Sequence, residues 1–248
     1  MNKAVADMQA GFGPEAEALP MRGGSAGRQL MTLAEQIAER IFLSIASGEY
    51  APGDRIREET IAEHLEVSRG PVREALRILE KDSVVRIQPN RGAHVTQLSI
   101  KEVGDLFEIR RDLLGAMVRR LAPHNADFVA AIDAGVHELE MAAHGGVDAD
   151  AYLGVSNRLG RLLADASGNE RLADILGSLA RQTRRYSMLG LASSTRRIES
   201  ASTWRVMVKA LEAGDANAAA DAVEDLVDAL RREAIRQLAL LHPTHTKD

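Results

Sequence analysis

The spacing of apolar and polar residues along the chain changes at about residue 97. The first part combines short helical periods with strand-like runs and turn residues, whereas the second part contains long alanine- and leucine-rich segments at helical spacing. The pattern predicts a mainly α protein with two domains, a helix-and-hairpin domain over 29–97 and an all-α domain over 98–241. Residues 1–28 and 242–248 are predicted to be tails.

The first domain contains a helix that is predicted to begin near Arg69. Ser68 is expected to cap it with its side chain, and Pro71 is tolerated in the first turn. Three apolar residues recur at helical spacing and are predicted to pack inward: Val72, Leu76 and Leu79. Three arginines four residues apart share another face: Arg69, Arg73 and Arg77. That face is free to meet phosphates and base edges, although a single arginine row is also typical of a solvated helix surface.

Two further signals accompany this helix. A short amphipathic helix over 58–65 precedes it, and only Glu66, Val67 and Ser68 separate the two, which is helix-turn-helix spacing. Strand-like runs over 84–88 and 93–96 follow it and flank turn residues at 89–92. The combination predicts a winged helix-turn-helix domain that binds DNA.

The second domain is predicted to be an antiparallel bundle of six helices. Their expected spans are 99–121, 126–143, 148–166, 170–189, 195–213 and 216–241. Glycine-containing breaks separate several of them, at 145–146, 167–169 and 214–215. The first bundle helix is predicted to bury one stripe: Val103, Leu106, Ile109, Leu113 and Met117.

The chain is acidic as a whole but has one segment with a net positive charge. The chain carries 31 Lys and Arg against 36 Asp and Glu, a net charge of −5, so DNA attraction requires a local patch. Between Arg69 and Arg91 there are six basic and three acidic residues, a local charge of +3. The absence of cysteine excludes disulfides and thiolate metal sites. We find neither a membrane-length apolar run nor a signal peptide, and we expect a cytoplasmic protein.

Residues 33–95 resemble the winged helix-turn-helix of GntR-family bacterial transcription regulators. The family's signature is present as VSRGPVREAL at 67–76 and PNRGA at 89–93. The resemblance and the arginine face together give the expected DNA-binding residues: Ser68, Arg69, Gly70, Arg73, Arg77, Arg91 and Gly92. The resemblance implies that Ser68 contacts a phosphate and that Arg91 and Gly92 enter the minor groove of DNA. The chain departs from the family pattern at Gly70, often threonine, and at Glu66, usually a small residue.

Residues 100–236 resemble the FCD effector domain, on anchors at 106–110, 166–169 and 210–215. Many FCD domains hold a divalent metal through one Asp and three His. The aligned positions here are Ser156 or Asn157, Gly160, Trp204 and Leu226, and they cannot supply those ligands. We therefore expect no metal and no other cofactor.

The missing imidazole at Gly160 leaves space, and Trp204 adds bulk. Either Trp204 fills the former cavity, or Gly160 makes room for an organic effector whose body lies against Trp204. Arg110 matches an arginine of the family's first effector-domain helix and is our candidate for gripping an effector carboxylate. The alternative for Arg110 is a structural ion pair with Glu108, with Asp112 or with a residue of another helix. Asn157 is a candidate hydrogen-bonding group.

The family resemblance thus favours a homodimeric repressor that binds a short pseudo-palindromic operator in double-stranded DNA and responds to a small organic acid, with activation as the alternative sign of regulation. The alternative is an effector-independent DNA-binding dimer whose bundle serves only dimerisation. An enzyme is disfavoured, because we find no nucleophile-base constellation, phosphate-binding glycine loop or metal cluster in the sequence. We expect no membrane partner.

Overall fold

The computed structural model describes residues 31–121 and 126–241. The chain divides into two compact units, one ending at Gln97 and one beginning at Leu98, and each is described by itself. The predictions of tails at 1–28 and 242–248 fall outside the described residues.

The N-terminal unit combines three helices with a small sheet. Its elements are α1 (Leu33–Ser47), β1 (Arg55–Ile56), α2 (Glu58–His64), α3 (Arg69–Lys81), β2 (Val85–Gln88) and β3 (Gly92–Val95). Helix α1 begins with a capping box in which Thr32 accepts a hydrogen bond from the Glu35 amide and the Glu35 carboxylate accepts one from the Thr32 amide. It ends at Gly48, which adopts a left-handed conformation.

The sheet of this unit has the strand order β1-β3-β2, and both pairings are antiparallel. Gln88 pairs with Gly92 and Val85 with Val95, so residues 89–91 form the hairpin loop. The helices and the sheet share one apolar core: Ile37, Ile41, Phe42, Ile45, Ile56, Ile61, Val72, Leu76, Leu79, Val85, Ala93 and Val95. This core fixes the angle at which α2, α3 and the hairpin meet.

The structure extends and trims the predicted elements of this unit. The hairpin strands lie at 85–88 and 92–95 instead of 84–88 and 93–96, and α2 ends at His64. Strand β1, only two residues long, had no signal in the apolar pattern. Helix α1 was not among the predicted elements either.

The C-terminal unit is helical wherever it is described, apart from its turns. Its helices are α4 (Ile100–Arg119), α5 (Ala126–His144), α6 (Ala149–Ala166), α7 (Glu170–Gly190), α8 (Ser194–Glu212) and α9 (Ala216–Leu241). Five of these helices begin after a residue whose side chain accepts a hydrogen bond from an amide of the first turn: Ser99, Asp148, Asn169, Ser193 and Asp215. The mainly α fold class is confirmed.

Helix α4 is central to the bundle and packs against α7 and α9. Val103 and Met117 of the predicted stripe are fully buried, but Ile109 is 49% exposed, and the buried side also includes Phe107 and Leu114. Leu106 and Leu113 are only partly buried. Because α4 packs against two helices, its buried surface is wider than one stripe and includes residues 107, 114 and 118.

Across residues 31–121 and 126–241, we find no helix with the length and apolar character needed to cross a membrane.

Candidate DNA interface and candidate effector site

The turn between α2 and α3 is short and well defined. The Leu65 amide donates to Ile61 O (2.9 Å) and the Val67 amide to Ala62 O (3.0 Å), which turns the chain directly from one helix into the next. Glu66 lies in this turn with φ 54°, a left-handed conformation that suits glycine. This strained position is the one where the sequence departs from the family's small residue.

The two faces of α3 are those predicted. Its buried residues are Val72, Ala75, Leu76 and Leu79. The three arginines are exposed: side chains of Arg69, Arg73 and Arg77 are 54%, 59% and 71% exposed. The inward packing holds α3 against α1 and β2, so the arginine face is presented on a rigid support.

The predicted side-chain cap at Ser68 is wrong. Ser68 occupies the N-cap position with φ −72° and ψ 162°, but its side chain makes no capping hydrogen bond. The third helical residue after Ser68 is Pro71, which has no amide hydrogen to donate, whereas Thr32 and Ser99 each bond to a glutamate at that position. The exposed Ser68 hydroxyl is therefore left for a partner outside the helix.

Each arginine of α3 pairs with a carboxylate of the N-terminal unit. Arg73 Nε donates to Glu58 Oε2 at 2.7 Å, and Arg69 Nη1 lies 2.9 Å from Glu59 Oε1. Glu58 and Glu59 both belong to the first turn of α2. Arg77 is 3.6 Å from Glu74 one turn earlier on its own helix.

The hairpin loop carries Arg91, which is exposed beside Gly92. The Arg91 amide donates to Gln88 O (3.1 Å), and two loop residues are left-handed, Asn90 at φ 62° and Gly92 at φ 85°. A β-carbon on Gly92 would stand 3.4 Å from Arg55 Nε, so Arg55 of β1 lies against the hairpin loop. Arg55 could not be recognised from the local sequence, because only the β1–β3 pairing brings it there.

In the C-terminal unit, Arg110 lies partly buried on α4. Its Nη1 is 3.4 Å from Oγ1 of Thr183 on α7, and Thr183 is fully buried. Loss of solvent around the guanidinium lowers the pKa of Arg110 to about 10. Among the described residues no carboxylate pairs with Arg110, since Asp112 bonds instead to Arg111 (2.7 Å). The alternative ion pair with Asp112 or Glu108 is therefore not formed.

The Trp204 side chain does not fill the space that the missing side chain of Gly160 leaves. Trp204 is 4% exposed, and its Nε1 has no hydrogen-bond acceptor among the described residues. A β-carbon built on Gly160 meets no atom within 4 Å, so the indole does not fill the space beside Gly160. Asn157, partly buried one turn earlier on α6, forms no side-chain hydrogen bond within the described part of the chain. The structure records no polar contact that joins Arg110 to these three residues.

The four family metal positions do not fit a metal. Ser156, Gly160, Trp204 and Leu226 supply one hydroxyl and no carboxylate or imidazole. In residues 31–121 and 126–241 no three His, Cys, Asp or Glu side chains converge in a way that could hold a metal ion. The expectation of a metal-free domain stays a prediction.

The bundle interior also contains polar groups that the sequence did not indicate. Arg184 is buried and bonds to Asp150 at 2.5 Å. Arg197 is buried and donates from Nη1 to Leu191 O (2.7 Å) and Ala192 O (2.8 Å), which closes the end of α7. These contacts tie helices together. Arg110 remains a candidate cation for a ligand, together with Arg185, whose buried Nη1 has no hydrogen-bond partner in the described part of the chain.

Two family models match this chain. The model of bacterial regulatory proteins of the gntR family matches residues 33–95, and the FCD domain matches residues 105–229. The matches cover the helix-turn-helix with its hairpin and most of the helical bundle.

Curated relatives agree with these matches. A probable D-xylose utilization operon transcriptional repressor of Paenarthrobacter nicotinovorans is 30% identical over 74% of this chain and 80% of its own length. The uncharacterized HTH-type transcriptional regulator YdhC of Bacillus subtilis is 31% identical over 57% of this chain, and the match spans 63% of that regulator. The chain thus spans less than two thirds of the YdhC length.

The fold also matches solved structures. E. coli McbR/YncC superposes with a TM-score of 0.69 over 88% of this chain and all of that chain, at 19% identity. A putative transcriptional regulator GntR from Rhodococcus sp. RHA1 gives a TM-score of 0.61 over 82% of this chain and 97% of its own, at 22% identity. On its two domain matches and its relatives, the chain belongs to the gntR family of bacterial regulatory proteins with an FCD domain, a family of DNA-binding transcriptional regulators and not of enzymes.

Proposed function

We propose that this regulator is a homodimeric repressor whose operator affinity is controlled by an organic carboxylate bound in the helical bundle. Its site of action is the chromosome and hence the cytoplasm. The name of the P. nicotinovorans relative, a probable repressor, supports the sign of regulation. The single observation that carries the effector is Arg110, whose guanidinium is desolvated and has a hydroxyl but no carboxylate as partner within the described residues.

Binding of a carboxylate would lower the energetic cost of the desolvated Arg110. A guanidinium withdrawn from water without an opposing charge is destabilising, and a carboxylate ligand would supply two charge-assisted hydrogen bonds. The Thr183 hydroxyl donates to Leu179 O at 2.7 Å, so it is oriented to accept from Arg110 and holds the guanidinium in place. The open space beside Gly160 and the unpaired Nε1 of Trp204 suit the uncharged part of such a ligand.

For DNA, we assign contacts to the exposed groups of the N-terminal unit. Arg69, Arg73 and Arg77 extend from α3, the Ser68 hydroxyl and the Gly70 amide lie at its N-terminus, and Arg91 with Gly92 projects at the hairpin. An N-terminus without a side-chain cap offers free amides to a phosphate. Two copies of this surface read the two halves of a pseudo-palindrome in the homodimer.

The test of the DNA contacts is Arg73→Ala. If Arg73 reads a base, the operator, selected from a random duplex pool by the unaltered protein, binds more weakly by about 1–3 kcal/mol in a fluorescence anisotropy titration. A duplex of unrelated sequence serves as the control. An equal loss on both duplexes would show that Arg73 touches only the backbone.

The test of the effector is a thermal-shift screen of the chelated protein against short carboxylic acids, aromatic acids and acyl-CoA compounds. An acid at a hundred times its dissociation constant stabilises the folded state by about 2.7 kcal/mol, which raises the melting temperature by several degrees. Arg110→Gln should abolish this shift. Arg120→Gln is the matched control, because Arg120 is exposed at the end of the same helix and forms no ion pair within the described residues.

Three outcomes contradict the effector proposal. Stabilisation by zinc alone would show that the domain binds the family's metal and not an acid. An acid shift that survives Arg110→Gln would place the ligand elsewhere. No shift with any acid would leave the bundle as a dimerisation module.

A further inference from the structure

The two carboxylates in the first turn of α2 hold the arginines of α3 by different nitrogens. Glu58 bonds to Arg73 through Nε (2.7 Å), and Glu59 pairs with Arg69 through Nη1 (2.9 Å). The two pairs differ in exposure as well. The Glu58 side chain is 29% exposed, whereas the Glu59 and Arg69 side chains are 50% and 54% exposed.

The effect of each ion pair on DNA binding depends on which guanidinium nitrogen contacts the carboxylate. Nε lies on the stem side of the guanidinium, so Glu58 orients Arg73 and leaves both of its terminal amino groups available. Nη1 is a terminal group, one of those with which an arginine meets a phosphate or a base edge. Glu59 therefore uses a donor of Arg69 that DNA would need.

The surroundings of Glu59 are basic on more than one side. A backbone hydrogen bond and the positive charges of Arg69, Arg55 and Arg73 hold the pKa of Glu59 below its usual value. Arg55 also lies against Gly92 of the hairpin loop. One exposed carboxylate thus stands among three arginines that come from β1 and α3.

We propose that Glu59 is an internal competitor for DNA phosphate at Arg69 and lowers the affinity of the regulator for DNA of any sequence. A phosphate carries the same charge as the carboxylate, and Arg69 must leave Glu59 to meet it. Arg69 therefore contributes less to counterion release than an unpaired arginine. This role of Glu59 rests on the DNA contact proposed above for Arg69 and is independent of any effector.

The experiment uses Glu59→Gln in the full chain and a 30-base-pair duplex of arbitrary sequence. Glutamine keeps the size of the side chain and removes its charge. We expect several-fold tighter binding in 0.1 M salt, and a salt dependence that steepens by about 0.9 in the logarithmic slope for each bound head. Glu63→Gln is the matched control, because Glu63 is exposed on the same helix and has no ion pair in the described residues.

A second variant tests the route through Arg69. The gain should vanish when Arg69→Gln is added to Glu59→Gln, since the freed donor is then absent. The proposal is overturned if Glu59→Gln and Glu63→Gln bind alike, or if the gain persists without Arg69. Weaker binding by Glu59→Gln would also overturn it, since the carboxylate would then assist binding. Unchanged circular dichroism of each variant confirms that the comparison is between folded proteins.

Discussion

Glu66 shows how one residue can carry both a structural cost and an electrostatic one. Its φ of 54° is set by the tight turn between α2 and α3, where the Val67 amide reaches back to Ala62 O. A side chain in this conformation is strained by roughly 1–2 kcal/mol, and the carboxylate adds negative charge beside the arginine face. The turn is retained because Leu65 and Val67 pack on the core on either side of it.

We expect Glu66→Gly to stabilise the N-terminal unit by about 0.5–1 kcal/mol. Relief of strain exceeds the larger backbone entropy that glycine has in the unfolded chain. Hydrogen exchange of the α3 amides measures the change without interference from the C-terminal unit. Ser83→Gly is the matched control, with φ 57° in the loop after α3, and it should give a similar gain. A loss of protection in Glu66→Gly would mean that the Glu66 side chain stabilises the turn.

At the scale of the helices, glycine also marks a close approach. Gly190 ends α7 where α9 passes, and an added β-carbon there would stand 2.8 Å from Leu230 O and 2.6 Å from Leu230 Cδ1. A side chain can rotate away, but a backbone carbonyl in a helix cannot move alone. Gly177 on the same helix has open surroundings, where an added β-carbon meets only Arg181 Nη1 at 3.8 Å.

Gly190→Ala should therefore destabilise the C-terminal unit by about 1–3 kcal/mol, because overpacking forces α7 and α9 apart. Gly177→Ala should stabilise it by about 0.5–1 kcal/mol through helix propensity. Urea unfolding followed by tryptophan fluorescence measures both, since the chain has a single tryptophan, Trp204, in this unit. Equal effects of the two substitutions would show that the bundle adjusts freely at Gly190.

The elements that could be predicted from the sequence are those with several repeats of a period. Helix α3 and the bundle helices each give multiple turns of apolar spacing, and most ends carry a cap or a glycine. Strand β1 has two residues and exists through its pairing with β3, so no local pattern announces it. Phe107 and Ile109 of α4 are both apolar, and only the positions of α7 and α9 decide which of them is buried.

The candidate sites also contain features that a local sequence pattern predicts and features that depend on packing between elements. The arginine face of α3 is a local pattern and was predictable from the spacing of Arg69, Arg73 and Arg77. The pairing of Arg69 with Glu59 depends on how α2 meets α3, and the burial of Arg110 against Thr183 joins positions 73 residues apart. The failed cap at Ser68 was accessible in principle, since Pro71 stands at the position whose amide would have donated.

The whole molecule has a net charge of −5, so its attraction for DNA requires a local basic surface, and control of DNA binding by a ligand of the bundle must act through a conformational equilibrium. Binding linkage then makes a strict demand: if an acid weakens operator binding by some factor, the operator weakens acid binding by the same factor. We expect this factor to lie between about 5 and 150, which corresponds to about 1–3 kcal/mol of coupling.

The measurement is a pair of calorimetric titrations with the acid that gives the largest thermal shift, one with and one without saturating operator duplex, set beside operator titrations with and without the acid. The two ratios should agree, and Arg110→Gln should remove the acid binding while leaving operator affinity intact, since Arg110 lies in the C-terminal unit. An acid that binds with the same affinity in the presence and absence of operator would be bound without controlling DNA. The bundle would then be a ligand-binding dimerisation module, and repression would be set by the amount of protein alone.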